Sequence, residues 1–133
     1  MITYRTDLDG FDWNWFRDVM MEGGWHNGRS ADQYRTAYEN SAVVVNAFDG
    51  ERLIGTGRVL SDGVSNAYLM DLWTHPDYRR RGIGKRMVEI LLEPLAGQHV
   101  YLHTDDQQSF YAGCGFKQQP DGMGMVVGTW LNA

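Results

Sequence analysis

At 133 residues with 43% apolar content, the chain has the length for one domain around one core and not for two, so residues 1–133 are read as a single domain. Its 12 basic and 17 acidic side chains leave a net charge of −5, which argues against an extended nucleic-acid surface, and its single cysteine excludes an internal disulfide and suits a reducing cytoplasm. Met1–Arg5 carries no apolar signal core, no run approaches membrane-spanning length, and His26, His75, His99 and His103 lack metal-ligand spacing, so the expectation is no membrane and no metal.

Ile2 to Thr6 reads as a short strand, and Asp12 to Met21 and Ala31 to Asn40 as two helices, the second capped by Ser30 or Asp32. Between them Glu22–Arg29 is a glycine-rich loop around Trp25. Ala42 to Phe48 is an apolar strand, Asp49-Gly50 a hairpin turn, and Arg52 to Leu60 the returning strand. After a loop at Ser61-Asp62-Gly63, Ala67 to Thr74 forms the next strand. A helix then starts at Ile83, with Met87, Ile90 and Leu91 on its apolar face, and ends near Pro94 and Gly97. His99 to Thr104 is a strand, Gln107 to Ala112 a short helix, and Phe116 to Gln119 and Met123 to Trp130 two closing strands split by Pro120-Asp121-Gly122. That order predicts an α/β (α+β) fold, a sheet with helices on its faces.

The segment Arg79-Arg80-Arg81-Gly82-Ile83-Gly84-Lys85 lies where a strand feeds a helix. Backbone N–H groups converge at such a point, and the helix dipole adds roughly half a positive charge. Gly82 and Gly84 have no Cβ and let a bulky anion approach. Five of the 12 cations fall within residues 79–86, leaving 7 basic against 17 acidic side chains elsewhere, a pattern that fits one small polyanion such as a pyrophosphate. A solvated arginine-rich helix start is the plain alternative, but cations there oppose the dipole, so stability alone does not favour them. The Walker and Rossmann glycine patterns are both absent.

Two spaced elements carry a resemblance. Trp73-Thr74-His75-Pro76-Asp77-Tyr78-Arg79-Arg80-Arg81-Gly82-Ile83-Gly84 resembles the [RQ]-x-x-G-x-[GA] acyl-CoA signature of the GNAT superfamily of N-acetyltransferases, including its upstream strand and Pro-x-Tyr lead. Phe110-Tyr111-Ala112-Gly113-Cys114-Gly115-Phe116 is similar to that superfamily's F-Y-x-x-x-G-F element, at the expected distance downstream. The similar region runs from about Ala42 to the end. Gly57–Gly63, Met70-Asp71-Leu72 and Pro120–Met123 also resemble small bacterial and plastid relatives of plant serotonin N-acetyltransferase. Thr74 stands where the family has valine, and the acidic residue near Asp105 is displaced by a one-residue deletion.

The resemblance implies a single GNAT-like domain, with a mixed, mostly antiparallel sheet and about four flanking helices. It also implies acetyl-CoA as cosubstrate and an amine acceptor attacking directly in a ternary complex. On that reading the amides from Arg81 to Lys85 hold the pyrophosphate, with Arg79, Arg80 and Arg81 adding charge around Gly82, Ile83 and Gly84. The backbone of Leu72, Trp73 and Thr74 takes the pantetheine, and a backbone N–H near Leu72 polarises the thioester carbonyl. Tyr111 stands in the position of the superfamily's general acid; without the resemblance it would read as a core aromatic beside Phe110.

An alkylammonium with a pKa of about 10.4 is only ~0.04% neutral at pH 7, a deficit of ~4.6 kcal/mol, so a base or a water chain is useful. Asp71 is the first candidate, Asp105 the second and His103 the third. Against these, Asp71 can be a strand residue paired with an arginine or threonine, and His103 a half-buried strand histidine. Cys114 reads as a small buried hydrophobe. Trp25, with Asp71, is the expected acceptor contact, stacking on a cationic or aromatic amine.

The leading reading is thus a small-molecule primary-amine N-acetyltransferase. A protein lysine acetyltransferase and a non-catalytic acyl-CoA-binding regulatory module are the alternatives, and a homodimer is expected.

Overall fold

The computed structural model describes residues 1–131. Five strands form one sheet in chain order: β1 (Ile2–Arg5), β2 (Val43–Asp49), β3 (Arg52–Ser61), β4 (Asn66–Thr74) and β5 (His99–Tyr101). β1 to β4 pair antiparallel, and β5 joins β4 in parallel. The helices are α1 (Trp13–Glu22), α2 (Ala31–Glu39), α3 (Ile83–Leu92) and α4 (Gln108–Gly113), with 3₁₀ turns at Pro76–Tyr78 and Glu93–Leu95. The parallel pair needs a long crossover, and α3 supplies it.

Local signals account for these elements. Asp12 caps α1 by accepting from the Asn14 and Trp15 amides at 3.0 and 3.2 Å. Ser30, rather than Asp32, caps α2, in a reciprocal box with Gln33. Gly50 takes φ 63° in the β2–β3 turn, a conformation that costs glycine nothing.

Side chains alternate along the strands and divide the core in two. Val45, Ala47, Ile54, Val59 and Leu69 face α3, whose Ile83, Met87, Val88 and Leu91 complete that layer. Val44, Phe48, Leu53 and Trp73 face α1 and α2, where Phe16, Met20, Tyr34 and Tyr38 form an aromatic layer. Phe16 meets Tyr34 and Tyr38 edge-on at 5.3 and 5.1 Å between centroids.

Gly23, at the C-terminal end of α1, lies flat against Trp73: a Cβ there would stand 2.3 Å from the ring's Cζ2. Gly23→Ala is therefore expected to cost about 1–3 kcal/mol through overpacking. Thermal melts would show Tm lowered by several degrees; a melt superimposable on wild type would mean that the ring yields.

The C-terminal end departs from expectation. Only His99–Tyr101 of the predicted 99–104 strand pairs, and neither 116–119 nor 123–130 forms a strand. An extended segment is stabilised by cross-strand neighbours rather than by intrinsic preference. With β5 reduced to three residues, and Gly122, Gly124 and Gly128 interrupting the tail, those segments gain no more than an isolated bridge at Thr129 among the described residues. Met123, Met125 and Val127 stand 94%, 84% and 83% exposed as a result. Among the described residues, no helix is long and apolar enough to cross a membrane.

Candidate active site

The ladder between β4 and β5 stops at Tyr68 and Tyr101, where β5 itself ends, so among the described residues β4 runs on to Thr74 with no strand beside it on that edge. The open edge of a strand presents backbone polar groups, a template for a ligand that carries amides. At the same height β4 is irregular. Met70 pairs with Arg58 and Trp73 with Thr56, so Asp71 and Leu72 together oppose Gly57. This is a β-bulge, which leaves one residue out of the ladder and re-aims the strand. Asp71 sits in the left-handed region at φ 55°, a conformation worth about 1–3 kcal/mol of strain for a residue with a Cβ. Gly57 makes room opposite it: a Cβ there would be 2.9 Å from Leu72 Cδ1 and 3.0 Å from Leu91 Cδ1.

The Asp71 carboxylate is held by two arginines. Arg29, in the loop before α2, donates from Nη1 to Oδ2 at 2.8 Å and from Nη2 to Oδ1 at 3.0 Å. Arg58, on β3, donates from Nε to Oδ2 at 2.8 Å. The three side chains are 7%, 7% and 12% exposed for Arg29, Arg58 and Asp71. Burial pushes the Asp71 pKa up, but the hydrogen bonds and charges of Arg29 and Arg58 outweigh it and hold the carboxyl below its ordinary value. With its oxygens bound by Arg29 and Arg58, Asp71 is the arginine-paired strand residue that the sequence offered as the alternative to a base or an acceptor contact.

The arginine turn lies at the end of β4. Arg79 Nε donates to the Thr74 carbonyl at 3.0 Å, tying the turn to the strand, and the Arg81 guanidinium lies 5.1 Å from the Tyr78 ring centroid. Arg80 adopts φ 63° and Gly82, the N-cap of α3, φ 78°. No side chain caps this helix, so the amides of its first turn keep no intrahelical partner and face solvent chemistry. Among the described residues, none of Arg79, Arg80, Arg81 and Lys85 is paired with a carboxylate, whereas Arg86 bridges to Glu89 at 3.4 Å. Gly84 lies under the Phe110 ring, its Cβ position 3.2 Å from Cζ and 3.6 Å from Thr74 Oγ1. The expected cofactor-binding residues Leu72, Trp73, Thr74 and Arg79–Lys85 are therefore contiguous along one wall, although the Trp73 ring is buried against α1 and only its backbone can serve. The uncapped glycine turn, its unpaired cations and the open edge of β4 fit an elongated diphosphate ligand with amides in its arm.

Tyr111 follows on α4, packed edge-on against Phe110 and Phe116 at 5.0 and 5.8 Å. Burial, with a smaller contribution from Cys114, pushes its phenol up to about 12. Such a group stays neutral and donates a hydrogen bond at any physiological pH, and it releases its proton less readily than a free phenol. Asp105 lies on the exposed turn before α4, its backbone carbonyl accepting from Gln108 Nε2 at 3.1 Å. His103 is hydrogen-bonded through Nδ1 to the Tyr68 hydroxyl. Trp25 is 39% exposed on the α1–α2 loop, where Trp130 Nε1 also donates to the Asn27 carbonyl at 2.9 Å.

Sequence reasoning missed Arg29 and gave Arg58 no function. An arginine in the middle of the apolar run Gly57-Arg58-Val59-Leu60 was the available signal for a buried ion pair. Arg29 carried none, because 42 positions separate it from its partner.

Residues 10–116 match the acetyltransferase (GNAT) family, and the chain belongs to that family. It is 30% identical over 108 residues to the uncharacterized N-acetyltransferase ycf52 of Pyropia yezoensis, covering 75% of this chain and 62% of that protein. It is 29% identical over 132 residues to the histone acetyltransferase TAP1 of Glycine max, covering 88% of this chain and 55% of the relative. Thus it spans about half to three fifths of such relatives' length. A GNAT-family acetyltransferase structure from Streptococcus pneumoniae superposes with a TM-score of 0.79 at 28% identity, covering 99% of this chain and 98% of the other. Arabidopsis thaliana glucosamine-6-phosphate N-acetyltransferase, at 16% identity and a TM-score of 0.70, shares the fold. The five-stranded sheet with four helices agrees with the fold expected from the sequence resemblance.

Proposed function

We propose that this chain transfers the acetyl group of acetyl-CoA to the primary amine of a small molecule, by direct attack in a ternary complex. The supporting observations are the uncapped α3 turn with its unpaired cations, the bulge and open edge of β4, and a tyrosine on α4, the helix whose Phe110 packs over Gly84 of that turn. Arg79–Lys85 would hold the diphosphate, and the backbone of Leu72, Trp73 and Thr74 would take the amide-bearing arm. Bound acetyl-CoA supplies the activated acyl group. The chain's own part is to orient it, to polarise the carbonyl through a bulge N–H, and to stabilise the leaving sulfur with the Tyr111 hydroxyl. Asp105 or ordered water would take the ammonium proton, and the exposed Trp25 would flank the acceptor.

A protein lysine acceptor is the second reading, favoured by the name of the soybean relative. Thiol release would be followed for arylalkylamines, polyamines, amino acids and a lysine peptide. Turnover confined to the peptide would replace the first reading by the second. Coenzyme A binding with no thiol release from any of them would leave an acyl-CoA-binding module.

We also propose a homodimer. The unpaired outer edge of β5 and the exposed apolar side chains of Met123, Met125, Val126 and Val127 suit pairing with a second copy. Sedimentation at micromolar concentration giving only monomer would remove this. The single cysteine fits a reducing compartment, and a cytoplasmic location remains our proposal.

A further inference from the structure

We infer that the Arg29–Asp71–Arg58 clasp is a positioning device that holds the β4 bulge in its working shape and couples it to the α1–α2 loop. The inference rests on the transferase reading for its catalytic consequence, but not for its structural one.

Three observations carry it. Asp71 is the only residue of β4 in the left-handed region, and its side chain is the point on which two buried guanidiniums converge. The backbone would relax if that side chain were released, because nothing in an aspartate's own preference keeps φ positive within a strand. Second, the clasp is a poor way to gain stability. Two arginines and one carboxylate leave a surplus positive charge out of water, where well-packed apolar residues commonly do as well. Third, each arginine is fixed from behind. Arg29 Nε donates to Asn27 Oδ1 at 2.8 Å and its guanidinium lies 4.6 Å from the Tyr34 centroid. Arg58 lies 5.7 Å from the Tyr38 centroid and donates from Nη1 to Ser41 Oγ at 3.3 Å.

The surplus charge does not make an anion site. All three nitrogens of Arg29 already donate, to Asn27 and Asp71, and the group is buried. What remains is a linkage: Trp130 of the C-terminal tail, Asn27 on the α1–α2 loop, Arg29, then the Asp71–Leu72 bulge. A shift of the loop that flanks the acceptor side moves the strand that lines the donor side.

The first test is amide hydrogen exchange on the ligand-free protein. Arg29→Lys keeps the charge and loses the fork. It is expected to speed exchange at Met70 and Trp73, the paired residues that bracket the bulge, at least tenfold while leaving α3 amides unchanged. Uniform acceleration along the chain, or none, would overturn the inference. The second test compares Asp71→Gly with Asp71→Ala. Both lose the ion pairs, but glycine adopts positive φ freely and alanine does not. The glycine variant is expected to retain at least tenfold more kcat than the alanine variant, with coenzyme A affinity within twofold in both. Equal kcat, or the reverse order, would mean that the clasp supports the fold alone. Should these aspartate variants fail to fold, the Arg29→Lys exchange result decides. If wild type releases no thiol with any acceptor, the transferase reading fails and the exchange result still judges the clasp.

Discussion

Tyr111→Phe is expected to lower kcat by about 10²-fold or more while leaving the coenzyme A dissociation constant unchanged. The substitution removes one oxygen and keeps the ring that packs against Phe110 and Phe116. The diphosphate turn at Arg81–Lys85 belongs to another element and does not sense the change. A phenol pushed up to about 12 by burial is still protonated at pH 10, so the activity it supports has no alkaline limb below that point. Its linkage to folding has the same sign. The folded pKa exceeds the unfolded value of about 10, so this stabilisation is intact below pH 10 and drains as the pH climbs toward 12. Steady-state thiol release from pH 6 to 10, with calorimetric titration of coenzyme A, checks both. Unaltered kcat would remove Tyr111 from the chemistry.

Arg81→Glu is expected to weaken coenzyme A binding by about 10²-fold and to leave the melting temperature of the free protein within a degree or two. Reversing one charge beside a diphosphate about 5 Å away changes the interaction by about 2–3 kcal/mol at high dielectric. Salt should shrink the difference, because the site is open and screening acts within about 10 Å at 0.1 M. Arg81 is exposed and touches Tyr78 only through its guanidinium, so the fold bears the change. The measurement is titration at two ionic strengths alongside thermal melts with and without coenzyme A. Equal affinity for wild type and variant would move the cradle elsewhere.

What could be read from the chain followed local rules. The Asp49-Gly50 turn, the cap of α2 at Ser30, one of the two residues named for it, and the stripe Ile83, Met87, Leu91 each rest on neighbours within a few positions. The arginine turn was legible for the same reason: a strand end, two glycines and clustered cations are a short-range pattern. The site's internal geometry was not. A bulge depends on register against another strand, which no spacing within Met70-Asp71-Leu72 reveals. Asp71 thus read as a candidate base because its strand was right, while the partners that bind its carboxylate come from 42 and 13 positions away. The expected closing strands are missing because a ladder needs a neighbour, which no run of residues within 116–130 supplies by itself.

The bare backbone at Gly57 has a consequence for ligand size. Leu72 of the bulge and Leu91 of α3 both approach the space that a side chain at this position would fill, so strand and helix close on the same bare spot. On the proposed reading, that packing would set the distance between the phosphate grip and the acyl end, and a carrier with a shorter or longer arm would present its reactive end out of register.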